Sequence, residues 1–225
     1  MPPGVPPSGV RAEPHYFALP AGSLLWRIER PNRAGERPLF RDRPAGVNPE
    51  GLMQGRRWDP AGDIRYGYLY AALDDLTALC ETLLRDIPYD APLRYLPLGA
   101  VENRSLVALE TTRPLQLISL LEAADLAAVW QDTWLVHAEP RDYWVTQLWA
   151  HWLRQAETAD RSGPDGVVWP SKRQPTGRAV MLFEDRASDA VIRSPLGERK
   201  LDETGYGLRW LNARLRLLNT RVAAT

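Results

Sequence analysis

The chain has 225 residues, with 28 Lys and Arg balanced by 28 Asp and Glu, so its formal net charge is zero. That length can bury the core of one domain without a disulfide or metal staple, and a single cysteine, Cys80, excludes an intrachain disulfide framework and any multi-Cys zinc site. Neutrality argues against a dedicated nucleic-acid binder, yet lysine occurs only at Lys172 and Lys200, which leaves 26 arginines. Biased codon usage explains such an excess, and so does a need for forked guanidinium groups that hold phosphates or carboxylates.

The first fifteen residues form a proline- and glycine-rich arm without the basic and apolar regions of a signal peptide, so a disordered or extended arm is expected. Residues 16–225 are then one domain. No apolar run is long enough to span a membrane, and cytoplasmic residence is expected by default.

The first strand is predicted at Ser23 to Ile28, short, apolar and aromatic, with Arg27 near its end and Pro31 beyond it. Residues 31–55 read as a long loop of mixed charge. A glycine turn, Gly55-Arg56-Arg57-Trp58-Asp59-Pro60, leads to an aromatic strand from Tyr66 to Ala72. Asp74 and Asp75 open a helix that runs to about Arg85, with Leu76, Leu79, Leu83 and Leu84 as its apolar stripe and Glu81 at the stripe's edge. Leu106 to Thr111 reads as a strand and Ser119 to Trp130 as a helix. A second helix runs from Tyr143 to Gln155, with Trp144, Leu148 and Trp152 spaced by four and Trp149 and Leu153 beside them, a concentration of tryptophan that reads as core packing. Gly166 to Ser171 and Ala179 to Glu184 read as strands, and the spacing of Leu208, Leu211, Leu215 and Leu218 marks a C-terminal helix within residues 205–219. Strands and helices mix without regular alternation, so the fold class is α+β.

Standard site motifs are absent. There is no GxGxxG or Walker A loop. His15, His137 and His151 lack metal spacing, so no metal site is expected. Cys80 has no basic neighbour in sequence and reads as a buried small residue. What remains is a scattered polar set, Arg27, Arg57, Tyr70, Glu81 and Ser171, each beside an apolar element. Taken singly, each has an ordinary structural explanation.

Taken in order, the blocks around them resemble the RES domain family, named for its Arg, Glu and Ser. Leu25-Trp26-Arg27 resembles the opening strand. Gly55 to Pro60, Leu69 to Ala72 and Thr77 to Glu81 resemble the glycine-arginine-aromatic turn, the Leu-Tyr-x-Ala strand and the Ala-x-x-Glu helix. Asp165 to Ser171 and Val180 to Glu184 resemble the last two strands. The motif core spans residues 24–185. Arg56 stands where many members have glycine, and Trp169 where tyrosine is usual.

The resemblance implies an ADP-ribosyltransferase-like split mixed sheet, flanked by helices, around an NAD pocket. It implies a toxin that cleaves the nicotinamide glycosidic bond of NAD by phosphorolysis or hydrolysis, neutralised by an Xre-type antitoxin. Transfer of ADP-ribose to a protein would use the same pocket. A non-catalytic module that recognises phosphate or acid is the reading from another class. In the enzyme reading NAD is substrate, not resident cofactor, and inorganic phosphate is a candidate co-substrate. Arg27, Glu81 and Ser171 are the catalytic candidates, and Arg57 and Tyr70 the candidates for holding NAD. Neither nucleic acid nor membrane is an expected partner. The tryptophan-rich helix and the C-terminal leucine stripe each offer a surface for a homo- or hetero-oligomer.

Overall fold

A computed structural model describes residues 4–31, 39–41, 55–60, 64–160 and 162–223. Most of the 31–55 loop lies outside these. Among the described residues there are ten strands: β1 (Tyr16–Leu19), β2 (Leu24–Glu29), β3 (Tyr68–Ala72), β4 (Arg94–Leu96), β5 (Ser105–Thr111), β6 (Leu115–Ser119), β7 (Gly166–Pro170), β8 (Arg178–Phe183), β9 (Val191–Lys200) and β10 (Thr220–Val222). Six α-helices accompany them: α1 (Asp75–Thr82), α2 (Ala123–Ala128), α3 (Trp134–His137), α4 (Tyr143–Arg154), α5 (Glu184–Ala187) and α6 (Tyr206–Leu215). Short 3-10 turns follow β4 and α6 and precede α4.

Eight strands form one mixed sheet in the order β1-β6-β7-β8-β3-β2-β5-β9, while β10 and β4 pair separately. Only β6 and β7 are parallel within the large sheet. The register between β2 and β3 contains a single pair, Trp26 with Ala72. Their other neighbours are matched over much longer stretches, β3 with β8 over five pairs and β2 with β5 over six. The sheet therefore splits between β2 and β3, as the α+β reading with a split mixed sheet requires, and a cleft opens there.

Helix α1 is eight residues long, too short to be stable alone, so its ends and packing hold it. Asp74 is the N-cap: its carboxylate accepts from the Thr77 N–H at 2.7 Å and the Thr77 hydroxyl at 2.6 Å. Such a cap contributes about 1 kcal/mol. Leu79 and, just beyond the helix, Leu84 are fully buried, each burial contributing about 1.5–3 kcal/mol. That packing fixes the face on which Glu81 stands.

Two expectations need correction. The stretch from Ser119 to Trp130 is not one helix. Leu115, Leu117 and Ile118 build β6, a Glu122–Asp125 capping box starts α2 at Ala123, and Trp130 has left-handed backbone, φ 59°. In α4, Trp144 faces solvent, and the buried aromatic face is Trp149 and Trp152. Strands β1, β4, β6, β9 and β10 had no separate prediction. Strand β9 ends the sheet and contains Pro195 and Gly197, an edge composition that hides a strand from pattern reading.

Candidate active site

The cleft between β2 and β3 holds a cavity of about 180 Å³. Strand β2 contributes Arg27, β3 contributes Tyr70, and α1 contributes Glu81. The turn before β3 contributes Arg57, and Trp169 of β7 lines the wall. Four of the five candidates line this one cavity. Ser171 lies just behind it, almost fully buried, and its hydroxyl donates to Glu81 Oε1 at 2.6 Å. A gene-distant pair, separated by 90 residues, thus becomes one unit.

The position of Ser171 follows from the loop after β7. The Ser171 N–H donates to the Gly177 carbonyl at 2.9 Å. Gly177 lies so close to α1 that an added Cβ would sit 2.0 Å from the Thr77 hydroxyl. Only a residue without a side chain allows that approach, and it brings the loop against α1. Ser171 Oγ also accepts from the Gln174 N–H at 3.3 Å and the Arg173 N–H at 3.4 Å. The hydroxyl proton is thereby directed to the carboxylate.

Arg27 is 6 % exposed and Arg57 5 %. Arg27 Nη1 donates to the Leu39 carbonyl at 2.5 Å, and its Nε lies 4.0 Å from Glu29 Oε2. Glu29 is itself committed to Arg193, at 2.6 Å. Among the described residues, the Arg57 guanidinium donates one hydrogen bond, to the Ala138 carbonyl at 3.5 Å, and lies 5.8 Å from the centre of the Tyr143 ring. The Nε atoms of both arginines are buried without a hydrogen-bond partner among the described residues. Burial lowers both guanidinium pKa values to about 10. Glu29 opposes that fall at Arg27, and Arg85 adds to it at Arg57. Both remain charged at neutral pH. A buried cation short of partners is costly, and it is already placed to meet an anion.

Five further arginines line the same cavity: Arg30, Arg41, Arg56, Arg85 and Arg104. Among the described lining residues, Glu81 is the single carboxylate facing these seven cations. Sequence reading assigned a task to only two of them, because the rest come from segments that pattern reading treats as solvated loop and helix surface.

Tyr70 is held by its hydroxyl, which donates to Asp59 Oδ1 at 2.8 Å and accepts from the Trp58 N–H at 3.0 Å. Burial, with Asp59 adding to it, raises its pKa well above the usual phenol value, so the proton stays on. Its ring meets Trp169 edge-on at 6.1 Å and lies 5.7 Å from the Arg56 guanidinium. Asp59, which sequence reading passed over, is the hub. It also accepts from the Tyr68 hydroxyl at 3.2 Å and the Arg56 N–H at 2.9 Å. Helix α4 grips the same turn from the other side. Thr146 Oγ1 donates to the Arg57 carbonyl at 2.8 Å, and Gln147 Nε2 to the Arg56 carbonyl at 3.0 Å.

Cys80 is buried, and burial pushes its thiol up to about 12, with Glu81 and Asp74 adding to the rise. It is no nucleophile in that state. Among the described residues no group of three His, Cys, Asp or Glu side chains is placed to hold a metal ion, and no helix is long and apolar enough to cross a membrane.

No curated protein matches the sequence significantly. Among solved structures, the chain is similar to a chain in the crystal structure of the M. tuberculosis MbcT–MbcA toxin–antitoxin complex. The TM-score is 0.50 at 14 % sequence identity, over 79 % of this chain and 86 % of that one, a likeness of fold. The family model described as the RES domain matches residues 24–202. That span contains the whole cleft, and the chain belongs to the RES domain family.

Proposed function

We propose that this chain is the toxin of a toxin–antitoxin pair and that it consumes NAD by breaking the bond between nicotinamide and ribose. The observation that carries the reading is the Ser171–Glu81 pair at 2.6 Å, with Glu81 facing a cavity whose other described charged lining residues are all arginines. The family membership and the toxin–antitoxin neighbour of similar fold support it.

The chemistry follows from the charges. The C1′–N bond of NAD breaks with its electron pair going to the pyridinium nitrogen, so nicotinamide leaves neutral and needs no general acid. Positive charge develops on the ribose as an oxocarbenium ion. Glu81 is the single lining carboxylate that can stabilise it. The hydrogen bond from Ser171 keeps Glu81 in one rotamer and leaves its second oxygen for the sugar. The pyrophosphate carries two negative charges, and Arg27 and Arg57 supply forked, buried donors for them. Tyr70, its hydroxyl already committed, offers a ring face. An oxygen of water or of inorganic phosphate then bonds to C1′. Water loses its proton to solvent and gives ADP-ribose, whereas phosphate gives the 1-phosphate. An antitoxin of the Xre type, which covers the pocket, completes the proposal.

The test is NAD consumption by purified protein, with nicotinamide measured as it is released and phosphate titrated. Consumption that rises with phosphate identifies phosphorolysis, and consumption indifferent to it identifies hydrolysis. Glu81→Gln should lower turnover by about 10²- to 10³-fold, the scale of removing one transition-state electrostatic partner. A folded Glu81→Gln protein with full turnover would sink the reading.

A further inference from the structure

The N-terminal arm lies outside the span matched by the family model, which begins at residue 24, yet it is tied to the cleft. From Gly4 to Pro14 the chain has neither helix nor strand. It turns at Ser8 and Gly9, where Gly9 takes φ 74°, a conformation that glycine adopts without strain. The arm lies against α4 through two indoles. Trp149 Nε1 donates to the Gly4 carbonyl at 2.9 Å, and Trp152 Nε1 donates to the Val10 carbonyl at 2.8 Å. Trp149 and Trp152 meet edge-to-face at 5.2 Å. Pro6 and Pro7 are half-buried between the two hydrogen bonds, and Ala12 and Pro14 are buried beyond them. Arg11 pairs with Glu157, just past the end of α4.

This is how aromatic grooves recognise proline-rich segments. Stiff extended backbone loses little entropy on docking, and indole N–H groups read its carbonyls. Here groove and ligand belong to one chain. The same helix carries Thr146 and Gln147, which hold the carbonyls of Arg57 and Arg56. The arm and the arginine turn therefore grip α4 within about two helical turns of each other.

We infer that residues 4–14 act as an intramolecular proline-rich ligand of α4 that positions the Arg56–Arg57 turn from behind. Docking of the arm fixes α4, and α4 fixes the turn. Release of the arm lets the turn relax and weakens phosphate binding in the cleft without touching Glu81 or Ser171. Arm residues are positioning residues, because none of them lines the cleft. The effect on NAD rests on the proposed function; the effect on the turn does not.

The experiment uses the full chain with Trp149→Phe and Trp152→Phe together, which remove both indole donors and keep the aromatic rings. Pro6→Gly with Pro7→Gly is the second variant, and it leaves the core intact. Docking is read by trypsin cleavage after Arg11, which should become faster in both variants. Coupling is read without substrate, by hydrogen exchange of the Arg56, Trp58 and Asp59 amides, which should also become faster. With NAD, KM should rise about tenfold at nearly constant kcat, within the usual range of coupling between linked sites. Faster cleavage with unchanged exchange at the turn overturns the inference, as does unchanged cleavage in both variants. A wild-type protein that ignores NAD overturns the proposed function instead, and exchange at the turn still decides this one.

Discussion

Two sides of one cleft satisfy their charges differently. On the arginine side, formed by β2 and the turn before β3, Arg27 has no carboxylate nearer than 4.0 Å among the described residues and Arg57 reaches one carbonyl there at 3.5 Å. Arg30 and Arg104 follow directly on the last register pair of β2 with β5, Glu29 with Ser105, and so add like charges at the same edge. Burial and the neighbouring Arg30, Arg56 and Arg41 lower the pKa of Arg104. On the other side, where α1 meets the loop after β7, Glu81 already has its hydroxyl donor, and that donor is itself held by backbone N–H groups. One side is short of counter-charge among the described residues and suits the anionic ligand proposed above. The other is complete in itself and presents a fixed oxygen. In the proposed reaction, the difference would separate holding the substrate from acting on it.

Among effects on binding, the largest should come from the unsatisfied side. Arg57→Ala removes a buried cation proposed to hold a phosphate. Hydrogen bonds to charged groups contribute about 1.5–3 kcal/mol, so affinity for ADP-ribose should fall by about 10- to 100-fold. Arg57→Lys should recover only part of it, because a point charge cannot fork. Ser171→Ala should barely change that affinity and should instead lower turnover. Calorimetric titration with ADP-ribose, beside turnover measurements, checks the division. If Ser171→Ala cost as much affinity as Arg57→Ala, the two sides would not be functionally distinct.

The next effect tests what joins the sides. Asp59 is buried and receives Tyr70, Tyr68 and the Arg56 N–H. Asp59→Asn keeps the shape and exchanges one acceptor oxygen for a donor that faces a tyrosine hydroxyl. Leaving one such buried group unsatisfied costs about 1–3 kcal/mol of stability. KM should rise several-fold through the displaced turn, with kcat nearly unchanged. Thermal melts and a KM–kcat split check this. A variant with wild-type KM would show that the turn holds Arg57 without Asp59.

How much of this was legible in the sequence depended on how local the signal was. Strands β2, β3, β7 and β8 and helix α1 are written in runs of a few residues, with Asp74 as a visible cap. The candidate residues came from the ordered resemblance, and four of them share one cavity. Strand β6 was hidden because Leu115, Leu117 and Ile118 lie beside the alanine-rich run of α2, and the helix pattern absorbed its last residue. The gathering of seven arginines depends on sheet order: β3 pairs with β8, more than a hundred residues away, and no periodicity encodes that. The arm's indole contacts likewise span some 140 residues. Asp59 had a faint signal, an acid directly before proline in an aromatic turn, but its tyrosine partners stand on alternate positions of β3 and are identified only by the fold.

The smallest effect is also the most diagnostic, because it moves two measurements in opposite directions. Burial lowers Arg27 and Arg57 to about 10, from an ordinary value of 12.5. Between those values the folded protein binds fewer protons than the unfolded chain. By linkage, their contribution to stability therefore rises with pH across that window, and the burial penalty is complete below pH 10. Binding of a phosphate runs the other way, because it needs the charged guanidinium. At pH 10 about half of each arginine is charged, so affinity for ADP-ribose should fall about twofold for each arginine engaged, relative to pH 8. Tyr70, raised well above its usual value, contributes no charge change there. Titrations and melts from pH 8 to 10.5 at fixed ionic strength, on wild type and Arg57→Gln, isolate the contribution of Arg57. Affinity should weaken near pH 10 in the wild type, and the difference in stability between the two proteins should shift in the wild type's favour. Affinity that stays flat to pH 10.5 would mean that these two buried arginines do not hold the phosphates, and the arginine side would owe its charge to Arg30, Arg41, Arg56 and Arg104 instead.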